Sequence, residues 1–197
     1  QKQAKDWLHI LETLGIIFYL HPYSNNLLKR LVKTPKLYFY DTGLVCYLTK
    51  WSSAEVLECG AMNGAILENY VVSEIAKTYL NCGQEPYMYY YRDKDAREID
   101  IVLEHDGILN PLEIKKTSNP GSELTKVFAL LDKASVPRGK GAISKCHHTG
   151  YSKCDGILIY GWVIDVPAGE SQILAKLYLF LIRSLNCKKS DTIFPEW

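Results

Sequence analysis

The stretch from Glu98 to Lys115 constrains the fold of this chain more than any other. Two runs of alternating character flank Asp106-Gly107, and an Asp-Gly pair between such runs is the strongest short-range hairpin signal. A two-residue loop places Asp100 opposite Glu113 and Glu98 opposite Lys115. Opposed side chains of an antiparallel pair have Cβ atoms about 5 Å apart. Two carboxylates so placed repel one another, and a divalent cation offsets that cost, since Mg²⁺ is commonly held by one or two carboxylates. Period-two alternation puts Glu98, Asp100 and Val102 on one face of the first strand. Glu113 and Lys115 share a face of the second, while Ile99, Ile101, Leu112 and Ile114 point into a core. Pro111 forfeits a ladder donor, and a bulge at that point would shift the register by one.

The strongest helix pattern covers residues 63–80. Its apolar stripe reads Glu68, Val71, Val72, Ile75 and Tyr79, the spacing of one helical face. An unpaired charge on that face is costly, so Glu68 is either a salt-bridge partner or a functional carboxylate. Residues 88–92 read as a Tyr-rich strand, and residues 122–133 as an amphipathic helix on Leu124, Val127, Leu130 and Leu131. Residues 141–144 and 157–164 are apolar runs that suit later strands. Residues 173–185 are a densely apolar helix candidate, too short for a bilayer, which needs about 20 residues.

Toward the beginning, residues 2–14 follow the helical period and Gly15 ends the helix. Residues 16–20 are β-rich, residues 21–26 carry turn chemistry, and residues 27–32 read as a second strand. Seven basic residues among the first 50 face three acidic ones. A helix followed by a basic hairpin fits the last helix and wing of a winged-helix module, with Lys29, Arg30, Lys33 and Lys36 as DNA-contacting cations. A solvated hairpin that only packs against a neighbouring domain is the plainer reading, since a full winged helix needs two more helices. Residues 36–40 alternate like a strand, Asp41 suits an N-cap for a short helix to Leu48, and residues 51–62 read as a linker.

The whole chain carries a formal net charge of +1 over 197 residues, so any nucleic-acid contact must be local. The six cysteines follow no disulfide-framework spacing, and Cys146-His147-His148 with Cys154 matches no ordinary zinc pattern. Reduced thiols and the absence of a signal-peptide pattern lead to a cytoplasmic expectation, with no membrane association. No G-x-x-x-x-G-K-[ST] motif occurs, so no ATP is held through a Walker loop here. The first residue is Gln1, which suggests a piece of a longer protein.

Asp100 and Glu113 suit a hard cation through oxygen. A metal there could polarise a phosphodiester and activate water, with Lys115 stabilising developing charge and Glu68 adding a ligand. Asp100 followed by Glu113-Ile-Lys115 resembles the D…(D/E)-x-K signature of the restriction-endonuclease-like, or PD-(D/E)XK, superfamily. Glu68 stands in the place of its first-helix acid, and the proline before the first acid is missing. Lys33-Thr-Pro-Lys-Leu-Tyr-Phe-Tyr-Asp-Thr-Gly43, Gly64-Ala-Ile-Leu-Glu68, Tyr91-Arg-Asp-Lys94 and Glu98-Ile-Asp100 together resemble the C-terminal domain of a large prokaryotic family of AAA-type ATPases.

That resemblance implies an α/β (α+β) fold, a mixed sheet flanked by helices, with a partial winged-helix segment over 1–50 and a nuclease-like domain over 51–197. It implies catalytic roles for Glu68, Asp100, Glu113 and Lys115 and a Mg²⁺ or Mn²⁺ ion on Asp100, Glu113 and Glu68. DNA and an ATPase domain of the same full-length protein, where ATP would bind, are the implied partners. A catalytically silent DNA- or protein-binding module, and a dimerisation platform using residues 173–185, are the competing readings. Plain ion pairing, Glu98 with Lys115 and Asp100 with Arg92 or Arg97, would explain the same charges without a ligand.

Overall fold

The computed structural model describes residues 2–24, 34–116, 122–139, 141–146, 156–159 and 162–165. The first segment is helix α1 (Lys2–Thr13) and strand β1 (Ile17–Leu20), joined through Gly15 at a φ of 68°. Strand β2 (Lys36–Phe39) pairs antiparallel with β1, Ile17 opposite Phe39 and Leu20 opposite Lys36. Residues 36–39 thus supply a partner of β1; the second strand expected at 27–32, with Lys29, Arg30 and Lys33, lies outside the described residues.

Helix α2 (Thr42–Leu48) starts at Asp41, whose side chain accepts from the Leu44 N–H at 3.1 Å. The expected linker contains a further helix, α3 (Ala54–Cys59), capped by Ser53 and carrying Glu55 in its first turn. A capping serine and an acid at the N-terminus favour the start of a short helix.

Helix α4 (Asn63–Asn81) precedes the main sheet, which contains β3 (Met88–Arg92), β4 (Glu98–His105), β5 (Ile108–Lys115), β6 (Ala142–Cys146), β7 (Gly156–Ile159) and β8 (Trp162–Asp165). Its order is β3-β4-β5-β6-β8-β7. β5 and β6 are parallel, connected through a 3-10 helix over Ser122–Lys133, and the other pairs are antiparallel. The fold is thus a mixed α+β fold, as the sequence predicts. The apolar run 157–164 contributes to two strands, β7 and β8. The helix candidate at 173–185 lies outside the described residues. Among those described, no helix is long and apolar enough to cross a membrane.

The β4–β5 hairpin keeps the predicted register from Ile101 opposite Leu112 to His105 opposite Ile108. Asp106 and Gly107 take φ of 50° and 71°, the doubly positive turn that an Asp-Gly pair supports. Pro111 pairs with Val102 in register, so the expected shift does not occur there. The irregularity sits on the other side of β4. Tyr89 faces Val102 and Tyr91 faces Ile99, which leaves Asp100 and Ile101 together opposite Tyr90. This is a β-bulge, and it interrupts the alternation.

Two apolar layers result. Ile101, Leu103, Leu112 and Ile114 pack with Leu67, Val71, Val72 and Ile75 of α4. Ile99, Val102 and Leu109 pack with Phe128 and Leu131 of the 3-10 helix. Ile99 and Ile101 therefore belong to different layers, not to one face, because the bulge lies between them. The β1–β2 pair joins the edge of the main sheet through Tyr23 N–H to the Tyr90 carbonyl at 2.7 Å and Tyr90 N–H to the His21 carbonyl at 3.0 Å.

Candidate functional site

The bulge on β4 delivers Asp100 to the end of the α4 layer, where Glu68 also lies. Glu68, Glu98 and Asp100 each offer a carboxylate oxygen, and these oxygens lie within 4.8 Å of one another. Asp100 Oδ2 accepts from the Ile114 backbone N–H at 2.8 Å. That bond takes up a β5 donor just where the regular β4–β5 pairs end at Ile101 and Leu112. Burial, then the charge of Glu113 and, less strongly, of Glu68 push the Asp100 carboxyl up to about 7, against the Ile114 hydrogen bond and Lys115. A carboxyl poised near neutrality in a cluster of like charges marks a candidate functional site.

Strand β2 supplies the groups that hold Glu68. Lys36 Nζ donates to Glu68 Oε1 at 2.8 Å and also pairs with Glu98 Oε1. Tyr38 OH donates to the same Glu68 oxygen at 2.5 Å. Lys36 and Tyr38 are two residues apart on one strand, so they share a face. Asn69, next to Glu68, clamps β2 from the helix side. Its Oδ1 accepts from Phe39 N–H at 2.8 Å, and its Nδ2 donates to the Phe39 carbonyl at 3.1 Å. Burial works against the Lys36 charge, but its hydrogen bonds to Glu68 and Glu98 raise its pKa overall. Burial, then the negative charge of Glu68, raises the Tyr38 hydroxyl. Both groups thus stay protonated donors at neutral pH.

Glu113 and Lys115 of β5 form a second pair beside this cluster. Lys115 Nζ lies 2.7 Å from Glu113 Oε1. Burial opposes the Lys115 charge, but the Glu113 hydrogen bond together with the charges of Glu113, Asp100 and Glu68 outweighs it and raises the pKa. Glu113 is only 6% exposed, and its Oε2 is buried without a hydrogen-bond partner. A buried carboxylate oxygen left bare is costly.

The predicted residues are therefore only partly assembled. Glu68 and Asp100 come together as expected. Glu113 remains outside the triad and acts on Asp100 through charge. Glu98 takes the third place, with Arg92 Nε 3.5 Å away, so the expected Glu98–Lys115 pair does not form. Arg97 pairs with Asp93 at 2.6 Å and closes the β3–β4 turn, which leaves Asp100 without either of the arginines considered for it. Lys36, expected to face DNA, turns into the acids instead. Tyr38 and the inward role of Lys36 went unnoticed in the sequence. The Lys-x-Tyr spacing on an alternating strand was the available signal.

Residues 63–167 match the family described as Domain of unknown function (DUF4143), and the chain belongs to that family. Residues 1–55 match a second family, Domain of unknown function (DUF8612). The chain is 31% identical over 132 residues to Uncharacterized protein Mb2031c of Mycobacterium bovis and to Uncharacterized protein Rv2008c of Mycobacterium tuberculosis. Each match covers 67% of this chain and 29% of the relative. No solved structure matches the chain.

Proposed function

We propose that this chain is the nuclease-like C-terminal region of an AAA-type ATPase, of the restriction-endonuclease-like superfamily, acting in the cytoplasm on DNA with a divalent cation. The carrying observation is the carboxylate oxygens of Glu68, Glu98 and Asp100 within 4.8 Å of one another, on elements in the order helix, strand, hairpin, helix, strand. The all-carboxylate donor set fits a hard ion such as Mg²⁺ or Mn²⁺. Asp100, Glu68 and Glu98 would hold it, with Glu113 outside the set and acting on Asp100 through its charge. When bound, the ion supplies Lewis-acid polarisation of a phosphodiester and a more acidic water. Lys115, oriented by Glu113, stabilises negative charge on the attacked phosphate. Asp100 must give up its proton for the acids to act as ligands.

Cleavage of DNA by the wild type with Mg²⁺ or Mn²⁺, reduced by about a hundredfold or more in Glu113→Ala and Lys115→Ala, is the expected result. Identical backgrounds in all three proteins would remove catalysis. The second reading is a catalytically silent binding module. It is favoured by one observation, the Lys36 ammonium already paired with two of the three acids. It predicts DNA or partner binding with no dependence on metal.

A further inference from the structure

The acids of the site already hold a cation of the protein's own. Lys36 pairs with Glu68 and Glu98, two members of the triad. Its ammonium also lies 5.3 Å from the Tyr90 ring centroid, within the range of a cation–π contact. Tyr38 donates to the same Glu68 oxygen as Lys36. Tyr90 OH donates in turn to the Thr34 carbonyl, at the entrance to β2. The start of β2 is therefore fastened through the carboxylates of Glu68 and Glu98, oxygens that a metal ion would claim. Glu113, whose charge reaches Asp100, keeps its Oε2 buried without a hydrogen-bond partner.

We propose that Lys36 is a built-in gate: its ammonium occupies the acid cluster in place of a divalent cation, and metal entry displaces it and loosens the start of β2. This rests on the metal reading of the same site. The physical basis is charge competition. Glu68 and Glu98 cannot both keep a short bond to an ammonium and turn the same oxygens to a dication, whose repulsion of Lys36 grows as it approaches. Release of Lys36 frees the strand that follows the basic residues Lys29, Arg30 and Lys33. Occupancy of the acids is thereby linked to the chain segment leading into β2, and the link is reciprocal. A partner that pulls β2 away from α4 favours metal, and metal favours release of β2.

The test compares Mn²⁺ binding by calorimetry in wild type and in Lys36→Met, which keeps side-chain length and removes the charge. The gate predicts about tenfold tighter binding in Lys36→Met. Equal or weaker binding by Lys36→Met, with the wild type still binding, overturns the gate and leaves the metal reading standing. No binding by either protein overturns both. Should Lys36→Met fail to fold, acetylation of Lys36 in the wild type, read by mass spectrometry, decides the matter. The gate predicts several-fold faster acetylation at saturating Mg²⁺, with Lys77, paired to Glu74 at 2.5 Å, as the internal reference. An unchanged or slower rate at Lys36 overturns the gate.

Discussion

The two ends of the β4–β5 hairpin obey different rules. At the turn end, from Ile101 to His105, side chains alternate, the ladder is regular, and Asp106-Gly107 closes it with the expected positive φ. At the other end, Asp100 shares its place opposite Tyr90 with Ile101, and its carboxylate takes the Ile114 N–H. Three carboxylates then gather where a regular strand would have sent an apolar side chain. The turn end is built for stability. The bulged end gives up regular pairing to hold charge, the kind of departure from local rules that collects at functional sites.

The largest effect should come from cutting beneath the bulge. Ile101→Ala removes a side chain with no exposure and should cost about 2–5 kcal/mol, seen in urea unfolding. A much smaller loss would mean that the bulged end is not anchored in the α4 layer.

Asp100→Asn should act in the opposite direction. The folded pKa of about 7 lies above the ordinary aspartate value of about 3.9, so the folded state binds more protons between those values. Stability should therefore fall as pH rises from about 4 to about 7 and then level off. Asn keeps an acceptor for Ile114 without the charge. In the absence of metal it should be more stable than wild type at pH 8 by roughly 2–4 kcal/mol, with the gap closing near pH 4. A gap independent of pH would show that Asp100 does not carry this titration.

At the turn end, Gly107→Ala places a side chain at a φ of 71° and should cost about 1 kcal/mol. It should leave metal binding untouched, which separates the two ends cleanly. The smallest effect is expected for Glu98→Gln. Its partners Lys36 and Arg92 are partly exposed, so thermal denaturation should register about 1 kcal/mol or less.

The sequence showed the turn end almost completely, because alternation and the Asp-Gly pair are local signals. It also placed Glu68 on the buried stripe of α4, since a charge there breaks the helical pattern. It could not show the bulge, which depends on how β3 pairs with β4 around Tyr90. Strict alternation therefore put Ile99 and Ile101 on one face and paired Glu98 with Lys115. Lys36 was misassigned for a related reason. A lysine near a hairpin looks solvated until the fold brings Glu68, 32 residues further on, against it. Helix α3 was missed because Ser53 and Glu55 are weak signals inside a turn-rich stretch.

The central claim is that the acids gathered by the bulge form a divalent-cation site. Mn²⁺ titration of the wild type and of Asp100→Asn at pH 8, read by electron paramagnetic resonance of free Mn²⁺, tests it most directly. The account predicts saturable binding by the wild type, weakened by about tenfold or more in Asp100→Asn. It also predicts weaker wild-type binding as the pH is lowered below 7, because the Asp100 proton competes. The same affinity in both proteins, or none in either, would contradict it.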